Sequence, residues 1–318
     1  MGGDERGAVQ MSGPVAPLPS GRQHTLAAHG QELVVVEVGG GIRRYRAGGR
    51  EVLDGYEPGS VCDGARGQPL APWPNRLEDG SFEWRGRRLQ APLSEADARN
   101  AIHGLVRWSA WTLTGATDDT LVLGHRLHPQ PGWDWTLDLE VTYSLGPAGL
   151  AVSTAATNLS REACPFGLGW HPYISAAGGS VDELRLTVPA ATALRSDGRG
   201  LPAGRRPVAG TGEDFNAGRL VGADHLDVAL TDLARQSDGR AVVTVEHPSG
   251  GVEPVRLWMD EPFRWVMVYT GDTLPDPDRR RRGLAVEPMT CPPNMLRSGE
   301  GMIVLEPGGR VEASWGIS

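Results

Sequence analysis

Short apolar, β-branched runs recur along this chain, and nearly every one is cut off within a few residues by Gly or Pro. Examples are Glu32-Leu-Val-Val-Val-Glu-Val38, Thr120-Leu-Val-Leu-Gly-His-Arg-Leu127, Ala241-Val-Val-Thr-Val-Glu246, Val255-Arg-Leu-Trp-Met259 and Trp265-Val-Met-Val-Tyr269. Runs of this length and composition are strand signals, and helix signals are scarce. Trp135-Thr-Leu-Asp-Leu-Glu-Val-Thr-Tyr143 alternates apolar and polar residues, the period of a half-buried strand. The turn Gly146-Pro-Ala-Gly149 joins it to Leu150-Ala-Val-Ser-Thr-Ala-Ala-Thr-Asn158, which predicts a hairpin. Ile303-Val-Leu305 and Arg310-Val-Glu-Ala-Ser-Trp315 flank the turn Glu306-Pro-Gly-Gly309. With 44 Gly and 25 Pro as punctuation, the pattern predicts an all-β, sheet-on-sheet protein.

The 318 residues fit one large all-β domain with ample core. We read residues 1–22, rich in Gly, Pro and Ser, as a disordered leader, with Met11 as a second candidate start, and 23–318 as a single domain. The segment 190–213 is Gly-, Pro- and Arg-rich and reads as a long loop; Asp276-Pro-Asp-Arg-Arg-Arg-Arg282 reads as a second, exposed and charged. Net charge is −8, and all 31 basic residues are Arg. This acidic balance argues against a nucleic-acid partner. No apolar run is long enough to span a membrane. Cys62, Cys164 and Cys291 are too few and too scattered for a disulfide framework or a zinc site, which fits a reducing cytoplasm.

Two titratable residues stand directly before proline. One is His171 in Phe166-Gly-Leu-Gly-Trp-His-Pro-Tyr173; the other is Glu287 in Leu284-Ala-Val-Glu-Pro-Met-Thr-Cys-Pro-Pro293. A residue before proline is pushed toward extended geometry, so each should end a strand with little backbone freedom. A pinned imidazole and a pinned carboxylate are the parts of an acid–base catalyst. Read alone, each is equally a strand-end residue with no role, and the sequence does not show that they face one another.

Three further stretches carry polar residues in order: Pro72-Trp-Pro-Asn75-Arg76-Leu-Glu-Asp-Gly80, Asn100-Ala-Ile-His103-Gly104, and His225-Leu-Asp227-Val-Ala-Leu-Thr-Asp232. Together with the two pre-proline motifs, they resemble the aldose 1-epimerase (galactose mutarotase) family, from about Gln31 to Trp315. The resemblance implies an antiparallel β-supersandwich with a sugar cleft on one sheet. It implies interconversion of the α and β anomers of a free aldohexose, with a small sugar as partner and no cofactor. His171 would be the general acid on the ring oxygen and Glu287 the general base on the C1 hydroxyl. Asn75, Arg76, His103 and Asp227 would contact the sugar. An acid and a base on opposite sides of the ring would suffice; a carboxylate such as Asp227 near His171 would favour imidazolium, while Glu287 must stay ionised.

The chain departs from the best-known galactose mutarotases in places. His103-Gly-Leu-Val-Arg107-Trp-Ser-Ala-Trp111 resembles hexose-6-phosphate epimerases of the same fold, in which an Arg near this position helps hold the phosphate. Arg107 is therefore a candidate fork for an anionic substituent, phosphate or sulfonate, or else a structural ion-pair partner. Arg279–Arg282 would have to supply further basic groups, although such runs are usually solvated. Met289 stands where many relatives carry Gln, and Trp170 replaces a small or polar residue. Trp73, Trp170 and Trp265 are candidates for stacking on a sugar face or for the core. His125, His128 and His247 read as solvated. Other classes are a non-catalytic carbohydrate-binding module, which predicts loss of the acid or the base, and a β-sandwich domain of a polysaccharide-processing enzyme, which predicts a partner domain.

Overall fold

The computed structural model describes residues 16–247 and 253–318. Nearly every element is an antiparallel strand; the one α-helix among the described residues is the single turn Met295–Ser298. A nine-stranded sheet is built around the predicted hairpin, Leu137–Gly146 with Gly149–Asn158, and continues on one side through Arg310–Ile317 and Val255–Met259. An eight-stranded sheet has Asp227–Leu233, Trp265–Tyr269 and Gly283–Met289 side by side at its centre. A four-stranded sheet of Gln23–Ala28, Gln31–Val36, Ile42–Ala47 and Arg50–Glu51 flanks them.

The two large sheets meet through aromatic side chains. Trp170, on the eight-stranded sheet, lies 5.6 Å from the Trp315 ring and 6.1 Å from Tyr143 on the nine-stranded sheet. Its indole N–H donates to Thr154 Oγ1 at 3.0 Å. Leu137–Gly146 alternates buried positions with half-buried or exposed ones along its length, as its sequence period requires.

The segment 190–213 is not a loop throughout. Ala190–Ser196 and Pro202–Pro207 form a hairpin at the edge of the eight-stranded sheet. The second strand is exposed at every residue. An edge strand needs only one paired side, so it tolerates the Pro, Gly and Arg residues that disguise it in the sequence. The charged run at 276–282 is also only partly solvated. Arg281 turns inward to Asp182 and Asp272, each at 2.7 Å, and Arg279 pairs with Asp54 at 3.2 Å. Of the expected leader, residues 1–15, and with them Met11, lie outside the described residues. Ser20 is buried, and its carbonyl accepts the Val38 N–H at 3.0 Å.

Candidate active site

Sheet register brings the two pre-proline residues together. Gly169 pairs with Met289 and Tyr173 with Ala285. Carrying that antiparallel register two residues inward from either end sets His171 opposite Glu287. Side chains two residues apart share a face, and directly opposed residues are neighbours. His171 Nε2 lies 3.3 Å from Glu287 Oε1, and both side chains are buried. The alternate residue, Trp170, points to the other face and into the core. The two groups touch one another directly.

All seven candidate residues line one cavity of about 350 Å³: Asn75, Arg76, His103, Arg107, His171, Asp227 and Glu287. Asn75 and His103 both adopt left-handed backbone conformations. They lock together, His103 N–H donating to the Asn75 carbonyl at 2.9 Å and Asn75 N–H to His103 Nδ1 at 3.2 Å. Accepting at Nδ1 leaves the ring proton of a neutral His103 on Nε2. Gly104 is required next to it: its φ is +69°, and a Cβ there would sit 2.0 Å from the Ala71 carbonyl oxygen. Arg76 is gripped by Glu95 through two nitrogens, Nε to Oε2 at 3.0 Å and Nη2 to Oε1 at 3.1 Å, and reaches Asp227 at 3.4 Å. Of the neighbouring acids, Asp224 instead pairs with Arg219 at 2.7 Å.

Arg107 is not an ion-pair partner. Its Nε donates to Gln68 Oε1 at 3.1 Å, and Gln68 Nε2 donates back to the Arg107 carbonyl at 2.9 Å. Among the described residues no carboxylate pairs with its guanidinium, which lines the cavity and stacks 5.5 Å over Trp108. Arg279 and Arg282 do not converge with it; they line a separate cavity.

Burial governs the charges. It pushes the Glu287 carboxyl well above its ordinary range; Asp227 adds to this and Arg76 opposes it. Burial holds the His171 imidazole well below its ordinary range, and the Arg107 and Arg66 cations add to the effect. His103 is held low by burial, with His171 next. Asp227 therefore acts on Glu287 rather than on His171, and the expected imidazolium and carboxylate are not what burial alone favours. A single proton shared between His171 Nε2 and Glu287 Oε1 leaves the pair neutral overall whichever partner carries it. Glu287 Oε2 and His171 Nδ1 are buried without a protein hydrogen-bond partner.

Sequence reasoning missed three contributors. Tyr173 stacks on His171 at 4.9 Å and 14°, and the sequence signal for it was its place in the His-Pro-Tyr motif. Tyr269 lines the cavity beside Asp227, its register partner. Glu95 sits in an ordinary Ser-Glu-Ala-Asp loop that carries no signal. None of the three candidate tryptophans lines the cavity. Trp73 and Trp170 are core residues, and Trp265 packs with Met267, Ala229, Leu194 and Met289 in an apolar cluster of its own. Met289 thus fills a dry position beside the site. His125, expected to be solvated, is half-buried against Trp111 at 5.2 Å.

A closed antiparallel supersandwich with a buried His–Glu pair at the base of a polar cavity defines the class. The chain belongs to the aldose 1-epimerase family, whose model matches residues 22–318. It is 33% identical over 293 residues to the uncharacterised Escherichia coli (strain K12) protein YihR, covering 91% of this chain and 90% of YihR. The fold is that of the GalM/aldose epimerase homologue from C. elegans, with TM-score 0.82, 15% identity and coverage of 93% and 98%. It is likewise that of galactose 1-epimerase from Lactobacillus acidophilus NCFM, with TM-score 0.76, 19% identity and coverage of 93% of each chain.

Proposed function

We propose that this protein is an aldose 1-epimerase that interconverts the anomers of a free aldohexose, with His171 and Glu287 as its proton-transferring pair. The observation that carries the reading is their 3.3 Å contact at the base of a cavity lined by hydroxyl-binding groups. The two oxygens that exchange protons in mutarotation, O1 and O5, are bonded to the same carbon. Adjacent acid and base groups therefore suit the reaction better than groups held apart. In ring opening, which starts from the imidazolium–carboxylate form of the pair, Glu287 takes the O1 proton, His171 gives a proton to O5, and the C1–O5 bond breaks to leave the open-chain aldehyde. The pair ends as carboxylic acid and neutral imidazole. Rotation about C1–C2 turns the other face of the carbonyl toward the 5-hydroxyl. Closure reverses both transfers, so no net proton is gained or lost. Such general acid–base assistance is typically worth about 10²–10⁴-fold. Asn75, Arg76, His103 and Asp227 hold the remaining hydroxyls in this reading. A non-catalytic module would have no need of a buried, proton-sharing pair.

The Arg107 guanidinium, which has no carboxylate partner among the described residues, favours a second reading within the same chemistry: a hexose bearing an anionic group, such as a 6-phosphate or a sulfonate. A guanidinium on a cavity wall without a carboxylate offers a fork for such a group. The deciding measurement is anomer exchange by NMR with glucose, galactose, glucose 6-phosphate and a sulfonated glucose. Enzyme-dependent exchange of any of them supports the epimerase; acceleration confined to the charged sugars and lost in Arg107→Gln establishes the second reading. No exchange with any sugar in the panel overturns both.

A further inference from the structure

Behind the candidate pair lies a buried cation that the proposed chemistry does not use. Arg66 is 1% exposed and does not line the cavity. Its guanidinium carbon sits 4.1 Å from the centre of the Tyr173 ring, and the same ring stacks on His171 at 4.9 Å. Cation, phenol and imidazole are thus in successive contact, and the imidazole in turn meets Glu287. The same loop holds His171 by its backbone: Gly67 N–H donates to the His171 carbonyl at 2.9 Å, and His171 N–H to the Gln68 carbonyl at 3.2 Å. The Tyr173 hydroxyl donates to the Gly64 carbonyl at 3.1 Å. A Cβ on Gly64 would fall 2.9 Å from that hydroxyl oxygen, so glycine is what lets the loop close on the ring. Two carboxylates hold Arg66: Asp54 at 2.6 Å and Asp63 at 3.2 Å; Asp54 is shared with Arg279 at 3.2 Å.

We propose that Arg66 is a positioning residue of the epimerase: it fixes the Tyr173–His171 stack and sets the pH range in which the His171–Glu287 pair holds its single proton. This rests on the acid–base reading above. The groups facing the pair are Arg107, Arg66, His103 and Tyr173 around His171, with Asp227 and Arg76 around Glu287. Arg66 is the cation among them that does not line the cavity, so its charge can be changed without touching sugar. A nearby positive charge lowers both macroscopic pKa values of a coupled pair, because each protonation adds positive charge beside it.

The test is the pH dependence of kcat/KM, expected to be bell-shaped. Arg66→Met should move both limbs up by about one pH unit, the order expected of one charge across one ring at a protein-like dielectric. Asp54→Asn, which leaves more of the Arg66 charge unbalanced, should move both limbs down. KM should stay within about twofold in each, since Arg66 is buried and does not line the cavity. A merely structural role would lower kcat in both variants without opposite displacements, so unmoved limbs, or limbs moving in one direction for both, overturn the proposal. If Arg66→Met does not fold, Asp54→Asn alone decides, with Arg66→Lys expected to keep the wild-type limbs. If the wild-type protein exchanges no sugar, the acid–base reading has failed. The imidazole titration of His171, followed by histidine-labelled NMR and assigned by its loss in His171→Asn, then tests the Arg66 effect by the same opposite shifts.

Discussion

At the scale of single residues, the pair at the base of the cavity makes an exposed claim. Glu287→Gln preserves shape and removes the proton acceptor. We expect kcat for anomer exchange to fall by about 10²–10⁴-fold while sugar still binds, measured as saturable broadening of sugar resonances. A Glu287→Gln protein exchanging at the wild-type rate would sink the assignment. The residue names of this site were legible early, because proline follows both His171 and Glu287 and because Asn75, His103 and Asp227 stand in recognisable surroundings. Their charge states were not. Which neighbour acts on which group depends on distances between distant segments, and Asp227 turned out to bear on Glu287 instead of His171. Arg66 was illegible for a simpler reason: it is one of 31 basic residues, all Arg, and nothing local separates a buried one from the rest.

At the scale of elements, strand positions were readable and, the hairpin Leu137–Gly146 with Gly149–Asn158 apart, strand partners were not. The runs at 120–127, 241–246, 255–259, 265–269 and 303–305 became strands with those bounds. The edge hairpin beginning at Ala190 was hidden, since exposed edge strands lose the apolar pattern that marks the others. One strand end makes a testable case. After Val255–Met259, Asp260 accepts the Ser314 N–H at 2.7 Å and so pins the neighbouring strand, but its Oδ1 is buried without a partner. Burial raises this carboxyl to about 6. A raised folded-state value means that the folded protein holds this proton to higher pH than the unfolded chain. Stability from this group is therefore full below about pH 4 and lost as pH rises to about 6. Asp260→Asn keeps an acceptor for Ser314 and removes the penalty. Its melting temperature should exceed wild type at pH 7 and converge with it at pH 4, with a gain below about 1 kcal/mol because Asp260 is only half-buried. An unchanged or lower melting temperature at pH 7 would refute the account.

At the scale of the whole molecule, Trp170 joins the two large sheets. It contacts the Trp315 and Tyr143 rings of the facing sheet and donates a hydrogen bond to Thr154. Trp170→Ala should cost about 3–5 kcal/mol in denaturant unfolding, and a loss below about 1 kcal/mol would show that the sheets do not depend on it. Its neighbour in sequence carries the proposed chemistry, and alternation along one strand separates the two tasks: one side chain goes to the core, the next to the cavity. The reactive distance is consequently held by the backbone ladder of adjacent strands. A slip of one residue in either segment would turn its reacting group toward the core and its core side chains toward the cavity, and would unfold the protein before it misplaced the pair. The groups that would meet the rest of a sugar, Asn75, His103 and Arg107, come from separate turns and strand ends. On the proposed chemistry, substitutions in those turns would change which sugar is accepted while the bond that is opened and closed stays the same.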